Sequence, residues 1–460
     1  MAPLRIGLVG YGFGGRYFHA PLIASAQDCE FLGVVTTSAE RRAQFAEHFP
    51  GARAFDSLQD LAAAGAEAVA ISTPAATHIA LTQQALRLGL AVVCDKPFAL
   101  DPASARETVQ LAEELQLPLT VYQNRRWDSD FLTVRKALAD GTLGDAVRFE
   151  SRFERFAPDP GPPAAGGGTL MDFGSHLVDQ ALVLFGAARS VYAELHLSDT
   201  GSGLDDDAFV AITHAGGVLS HLWGSWRENA PGPRFRVTGT SATYVGIPDM
   251  EIQEHLLVAG HSPATYADWG AEPEDRWARV FRDGTSEVLR PERGAWDTFY
   301  PAFAAGVRGE APVPVDPGTR WRQRRCWTRP AGAPPTGTWS SWGNRSPGAG
   351  HCRPLSRRGQ ARISPAALTT IRARSSGSRR SITTGGSTSA TGSARRTRTP
   401  HPHNSQTRGV WRCASDDRRA ILALMIGATR VIDTALREAP GRVAYIGIAQ
   451  ERDGLPAAGP

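Results

Sequence analysis

The chain has 460 residues, 42% of them hydrophobic, and a formal net charge of +4, which is enough for two or three domains with substantial cores. Its five cysteines, Cys29, Cys94, Cys326, Cys352 and Cys413, show neither metal-ligand spacing nor the density of a disulfide scaffold. No metal site is therefore expected, and Cys29 and Cys94 read as core thiols. No charged-then-apolar leader precedes the first apolar segment and no apolar run reaches membrane-spanning length, so a soluble cytoplasmic protein is the expectation.

Taken in order, Leu4 to Val9 reads as a strand that runs into Gly10-Tyr11-Gly12-Phe13-Gly14-Gly15. This is G-x-G-x-x-G between a strand and a predicted helix, where Gly10 permits the turn, Gly12 lets the backbone approach a pyrophosphate and Gly15 lets helix and strand pack closely. The phosphates would meet free N–H groups at the helix N-terminus. A second strand, Phe31 to Val35, ends where an acidic residue would hold an adenosine 2′-hydroxyl. Here it ends instead in Thr36-Thr37-Ser38, followed by Arg41 and Arg42. Neutral hydroxyls beside a guanidinium suit a 2′-phosphate, so NADP is the expected dinucleotide, with NAD the alternative. The plain reading of the same residues is a helix capped by Ser38, with its arginines in solvent.

Ala66 to Ile71 is a third apolar strand, leading into Ser72-Thr73-Pro74 and then a helix that opens near His78. On the residues alone, His78 is favoured as an occupant of that first turn rather than a crevice residue. Leu90 to Cys94 reads as a buried parallel strand ending in Asp95-Lys96-Pro97, and Lys96 is one of only two lysines in the chain. Ligands of open parallel sheets sit at the carboxyl ends of the strands, where an ammonium can polarise an oxygen; the alternative is a strand-end lysine paired with Asp95. Asp101-Pro102 predicts a capped helix to about Gln116. Leu119 to Tyr122 is a further strand, and Gln123-Asn124-Arg125-Arg126-Trp127 crowds its end with polar and aromatic groups.

From about residue 143 the pattern alternates as antiparallel strands do, over 145–155, 190–197, 208–213, 218–226 and 234–239. A proline- and glycine-rich loop, 158–168, interrupts it and leads into a helix from Thr169 to a stop at Gly186. Asp172, His176 and Asp179 fall on one face of that helix, a spacing that fits an orienting carboxylate with a general base and equally fits a solvated polar face. Oxidising an alcohol needs a hydride acceptor, a group that removes the hydroxyl proton and a donor that steadies the developing alkoxide. The glycine loop, His176 and Lys96 are candidates for these requirements.

With these motifs in this order, residues 3–317 resemble the glucose–fructose oxidoreductase/inositol dehydrogenase/rhizopine-catabolism (Gfo/Idh/MocA) family. The resemblance rests on the glycine loop, Thr73-Pro74 with His78, Asp95-Lys96-Pro97 in place of the usual Glu-Lys-Pro, and Gly166-Gly167-Gly168 followed by Asp172-x-Gly174-x-His176-x-x-Asp179. Tyr11 to Leu22 and Val121 to Leu132 look most like the NADP-dependent scyllo-inositol 2-dehydrogenases.

The resemblance implies an α/β protein: a doubly wound parallel Rossmann sheet over 1–122, then an α+β domain with an open, largely antiparallel sheet over 123–317. It implies Lys96, Asp172 and His176 as the catalytic group, with either His176 or Lys96 as the base and Asp172 positioning either the substrate or His176. Gly10, Gly12, Phe13, Gly14, Gly15, Thr36, Thr37, Ser38, Arg41, Thr73, Pro74, His78 and Lys96 are the expected cofactor contacts, and Asn124, Arg126 and Trp127 the expected substrate contacts. The implied activity is hydride transfer between NADP(H) and a CH–OH group of a cyclitol, polyol or sugar, in a homo-oligomer formed through the second sheet. The alternative is a non-catalytic sugar or dinucleotide sensor of the same fold.

The resemblance stops at Pro317. Residues 1–320 hold 26 basic and 40 acidic residues, whereas Trp321 to Ser415 hold 18 arginines and no Asp or Glu. Back-translated with GC-rich codons and read from the third base, Gly318 to Pro330 becomes Asp-Ala-Val-Ala-Ala-Ala-Ala-Val-Leu-Asp-Ala-Ala, a sound helix. A reading-frame shift near Gly318 is therefore expected to have produced residues 318–415, an arginine-rich irregular stretch. The rival reading is a basic, disordered nucleic-acid arm, which the absence of a repeat or recognition motif disfavours. Residues 416–460 regain a normal charge balance, with a possible helix over 419–439 and a strand over 442–449. Resequencing the locus should reveal a gained or lost base near codon 318; an uninterrupted frame in the transcript would refute the shift.

Overall fold

The computed structural model describes residues 2–159, 161–198, 202–247, 251–317, 410–413 and 444–450. The helix expected over 419–439 lies outside them. Two sheets organise the described chain. The first is parallel, built from β1 (Leu4–Val9), β2 (Cys29–Val35), β3 (Arg53–Phe55), β4 (Ala68–Ile71), β5 (Ala91–Cys94) and β6 (Leu119–Val121), in the order β3-β2-β1-β4-β5-β6. That is the doubly wound order of a dinucleotide-binding sheet. Every residue of β4 and β5 is buried, as unbroken apolar runs in a two-sided parallel sheet must be.

The crossovers carry α1 (Ala20–Ser25), α2 (Ala39–His48), α3 (Leu58–Ala63), α4 (His78–Arg87) and α5 (Pro102–Glu114). Ser38, Ser57 and Asp101 accept first-turn amides and fix the starts of α2, α3 and α5. One crossover departs from expectation. The segment after the glycine loop, Gly14–His19, winds as a π-helix in which the Ala20 amide reaches back to the Gly15 carbonyl, and only then does α1 begin. Such wide turns are rare and often stand at functional sites.

The second sheet contains β7 (Ala146–Glu154), β8 (Ala188–Leu197), β9 (Asp205–His214), β10 (Leu219–Ser225), β11 (Phe235–Gly239), β12 (Thr243–Val245), β13 (Ala278–Arg282) and β14 (Thr285–Leu289). Two strands of the tail, β15 (Val410–Cys413) and β16 (Ala444–Gln450), extend it to the order β14-β13-β12-β11-β7-β10-β9-β8-β16-β15. Pairing is antiparallel except for β7 with β10 and β15 with β16. β15 falls inside the arginine-rich stretch expected to be irregular, and β16 pairs with β8. Helix α6 (Ser129–Ala139) leads into this sheet and α7 (Thr169–Phe185) covers it, burying Phe173, Leu177 and Ala181 against Phe149, Val210, Leu222 and Phe235.

The chain then returns to the first core. α8 (Ile252–Val258) and α9 (Phe299–Val307) supply Leu256, Leu257, Phe299, Tyr300 and Phe303 to the cluster that holds β1, β4 and β5. The strands of the first sheet end at Val121 and those of the second begin at Ala146, but the first sheet's core also draws on residues beyond 250. Val315 closes the return, exchanging hydrogen bonds with Thr120 Oγ1 and accepting from the Val121 amide at the β6 edge. Among the described residues, no helix is long and apolar enough to cross a membrane.

His78 pins the ends of β4 and β5. Its Nδ1 lies 2.8 Å from the Pro97 carbonyl and its Nε2 2.8 Å from the Thr73 carbonyl. Carbonyls only accept, so both ring nitrogens must donate and the imidazole is held as a cation. Burial opposes that charge, but Cys94, Asp95 and the Pro97 carbonyl outweigh it and raise the pKa from 6.5 to about 9. A raised folded-state value means the stabilisation is complete below the ordinary value of 6.5 and is lost as pH rises through about 9. His78→Gln should therefore be less stable than wild type by about 1–3 kcal/mol at pH 6 in urea unfolding. The gap should close as pH passes 9; a gap independent of pH would contradict the imidazolium.

Candidate active site

The glycine loop joins β1 to the π-helix at the carboxyl edge of the parallel sheet. Gly10 has φ +94°, and a Cβ there would stand 2.1 Å from the Ser72 carbonyl, so the close approach of the β1 and β4 ends requires glycine. Gly15 packs back against the Gly10 carbonyl, and Gly14 lies beside Ser72 Oγ and Asp95. Over Gly12 the space is open, with only the Arg41 guanidinium 4.0 Å from where a Cβ would be. Phe13 is 58% exposed beside it. A backbone this accessible, between two strand ends and a helical N-terminus, fits a dinucleotide pyrophosphate.

Past the end of β2, Thr36 is buried, Thr37 is exposed and Ser38 caps α2 by accepting the Arg41 amide at 3.3 Å. The two arginines part company here. Arg42 is spent on structure, donating to the Thr36 and Phe55 carbonyls and to Asp56. Arg41 is exposed and leans toward Gly12. Thr73 pairs with Thr77 through their hydroxyls at 2.7 Å, and Pro74 is exposed at the rim. His78 does not line the crevice: it is 1% exposed and saturated by two carbonyls, so it shapes the Thr73 and Pro97 backbones instead of meeting a ligand.

At the β5 end, Asp95 accepts the Lys96 amide at 2.8 Å and Ser72 Oγ at 2.9 Å, with His19 Nε2 of the π-helix 3.4 Å away. Burial would raise its carboxyl, but His19, Lys96 and His78 together hold it at about 2. Lys96 does not pair with Asp95 through its ammonium. Nζ instead donates to Asp172 Oδ1 in the first turn of α7, joining the two sheets. Both side chains keep some exposure, 21% for Lys96 and 17% for Asp172, as a site open on one side requires.

His176 lies one turn further along α7, buried to 4% exposure, with its ring 6.3 Å from Phe153 in a stacked arrangement. Asp172 does not orient it, although the spacing allowed that: Nδ1 of His176 is buried without a partner. Burial, reinforced by Lys96, Arg125 and Arg234, holds the imidazole well below the usual histidine range, so it is neutral at physiological pH. Asp179, the third residue of the shared face, is taken up by Arg126, which donates to both its oxygens at 2.7 and 2.6 Å.

Of the expected substrate contacts, Asn124 is buried, Arg126 is committed to Asp179, and Trp127 packs half-buried edge-on to Phe299 at 5.6 Å. Arg125, which no local motif distinguishes from Arg126, is the more deeply placed. It is bound by Asp128 and Glu254 and lies 4.8 Å from the Phe153 ring centroid. Glu254 and Arg234 come from segments more than 70 residues away in sequence, and no local motif marked either one.

A family model described as "Oxidoreductase family, NAD-binding Rossmann fold" matches residues 4–123, and one described as "GFO/IDH/MocA C-terminal domain" matches residues 131–245. The uncharacterized oxidoreductase YdgJ of Escherichia coli is 34% identical over 332 residues, covering 68% of this chain and 91% of its own. The scyllo-inositol 2-dehydrogenase (NADP(+)) IolW of Bacillus subtilis is 28% identical over 322 residues, covering 68% of this chain and 88% of its own. Among solved structures, the YPO2259 oxidoreductase of Yersinia pestis superposes with a TM-score of 0.64 at 32% identity, covering 71% of this chain and 93% of that one. With a parallel sheet, glycine loop and second sheet arranged as in these relatives, the chain belongs to the Gfo/Idh/MocA family of NAD(P)-dependent oxidoreductases.

Proposed function

We propose that the chain interconverts a secondary alcohol and a ketone on a neutral cyclitol, polyol or sugar, inositol-like in its array of hydroxyls, with NADP(H) as the hydride partner. The observation that carries this reading is the meeting of Lys96, Asp172 and a neutral, buried His176 at the strand-end edge that also presents the glycine loop. A nicotinamide bound there would supply the acceptor for a hydride leaving the carbinol carbon. His176 takes the hydroxyl proton through Nε2, the ring nitrogen not sealed in the core, and the low basicity conferred by burial keeps it unprotonated until that moment. Lys96 donates a hydrogen bond to the same oxygen as it gains negative charge. Asp172 accepts from the Lys96 ammonium and holds it in place as a donor, so the role of base falls to His176. The second oxygen of Asp172 then serves a neighbouring substrate hydroxyl.

Charge balance supports a neutral substrate. Arg125 is met by Asp128 and Glu254, Arg126 by Asp179, Arg155 by Glu254 and Lys96 by Asp172. None of these four cations is left over for a substrate carboxylate or phosphate, whereas hydroxyls can share the donors and acceptors present. For the dinucleotide, the exposed Thr37 and the exposed Arg41, whose guanidinium lies near Gly12, suit a 2′-phosphate, and the Bacillus subtilis relative is named for NADP(+) and scyllo-inositol.

Lys96→Met should lower turnover on an inositol and sugar panel by about 10²–10³-fold while leaving NADPH binding within roughly threefold. Retained turnover would refute the role given to Lys96. Arg41→Ala should weaken NADPH binding about tenfold or more, the loss of one charge-assisted contact, and change NADH binding by less than about twofold. Equal losses for both dinucleotides would contradict the 2′-phosphate assignment.

A further inference from the structure

Helix α7 carries Asp172 and His176, yet it opens without a cap of its own. Gly168, the residue before it, has φ +98° and no side chain to accept a first-turn amide. The acceptor comes from 35 residues further along the chain: the Leu170 amide donates to Asp205 Oδ2 at 2.6 Å. Thr169 Oγ1 donates to the Asp205 carbonyl at 2.8 Å, a second tie between the same two segments. A Cβ on Gly168 would stand 2.1 Å from Asp205 Oδ1, so the glycine provides the clearance that lets the carboxyl reach the helix end. Asp205 opens β9 and is 8% exposed, shielded from the solvent that would otherwise compete for the amide.

We propose that Asp205 is a positioning residue for the reaction, fixing the height and rotation of the first turn of α7 and thereby where Asp172 meets Lys96. The inference rests on the reading in which Lys96, Asp172 and His176 carry out the chemistry. A carboxylate at a helix N-terminus gains from both the charge-assisted bond and the helix dipole, and a shift of about 1 Å in a reacting group can cost about 10²-fold in rate. Asp172 is two residues beyond Leu170 on the same turn, so tilting that turn moves the Lys96 partner directly.

The environment also gives this tie a pH dependence. Burial pushes the Asp205 carboxyl up to about 7, aided by Asp206 and Asp207 and opposed by the Leu170 amide. The other charged groups alongside are His196 of β8 and Arg227 after β10, both engaged with Asp206, at 2.7 and 2.9 Å. The carboxylate therefore forms as pH rises through neutrality, and the cap tightens as it forms.

The test compares Asp205→Ala and Asp205→Asn in the full chain, reading NADPH affinity, KM, kcat against pH and hydrogen exchange at the Leu170 amide. Asp205→Ala should lower kcat about 10²-fold with NADPH affinity within about twofold, and should expose the Leu170 amide to exchange. Asp205→Asn keeps an acceptor that cannot ionise, so it should restore most of kcat and remove the rise in kcat between pH 6 and 8. If Asp205→Ala does not fold, the flattened profile of Asp205→Asn decides alone. An Ala variant with wild-type kcat, or an Asn variant that keeps the wild-type profile, would overturn the inference. Wild-type turnover with an unaffected Ala variant would overturn it while leaving the catalytic reading standing, and unchanged protection of the Leu170 amide in Asp205→Ala would overturn it independently of turnover.

Discussion

The ion pair between Lys96 and Asp172 is the contact on which the site depends, because its two halves belong to different sheets. Lys96 is fixed by the end of β5, whose every residue is buried, and Asp172 by the first turn of a helix packed on the second sheet. Neither core alone presents both groups. Removing one partner of such a pair leaves the other charge partly buried and uncompensated, which is destabilising. The pair thus ties both cores to the geometry of the proposed site.

Around that pair, the same charges set both the packing and the local field. Arg125 and Arg234 pair with three acids from two segments, Asp128 and Asp130 at the start of α6 and Glu254 of α8, and burial, reinforced by their positive field, keeps His176 neutral. On the other side, Asp95 is held ionised by His19, Lys96 and His78, so the β5 end carries a fixed carboxylate that anchors the Lys96 backbone. His19 reaches Asp95 from the π-helix that follows the glycine loop and bonds Tyr300 of α9 at 2.6 Å through its other nitrogen. Cofactor loop, strand-end lysine and the last described helix are therefore linked through a chain of buried polar contacts.

Much of this was legible in the sequence where local chemistry dictates structure. Apolar runs gave β4 and β5, a strand–glycine–helix context gave the loop, and three consecutive glycines before an amphipathic run gave the start of α7. The long strands of the second sheet were visible as alternation, but their order was not, since strand pairing is non-local and β7 joins β10 in parallel amid largely antiparallel neighbours. Side-chain partners were the least legible. The i, i+4 spacing put Asp172 and His176 on one face, yet a lysine from the other sheet competes better for the carboxylate than an imidazole does. His78 looked like a crevice residue by family pattern and is instead a buried pin, because only the folded backbone brings two carbonyls to its ring. Asp205 carried no signal at all: its partner is an amide 35 positions away.

Hydride transfer from a carbinol carbon to NADP+ at the Lys96 end of β5 can be followed by incubating the full chain with NADP+ and an inositol carrying deuterium on its ring carbons, with mass analysis of the dinucleotide. NADPH heavier by a single deuterium is expected, in an amount matching the ketone formed. Reduced dinucleotide without deuterium, or no reduction across neutral cyclitols, polyols and sugars while NADPH binds, would contradict it.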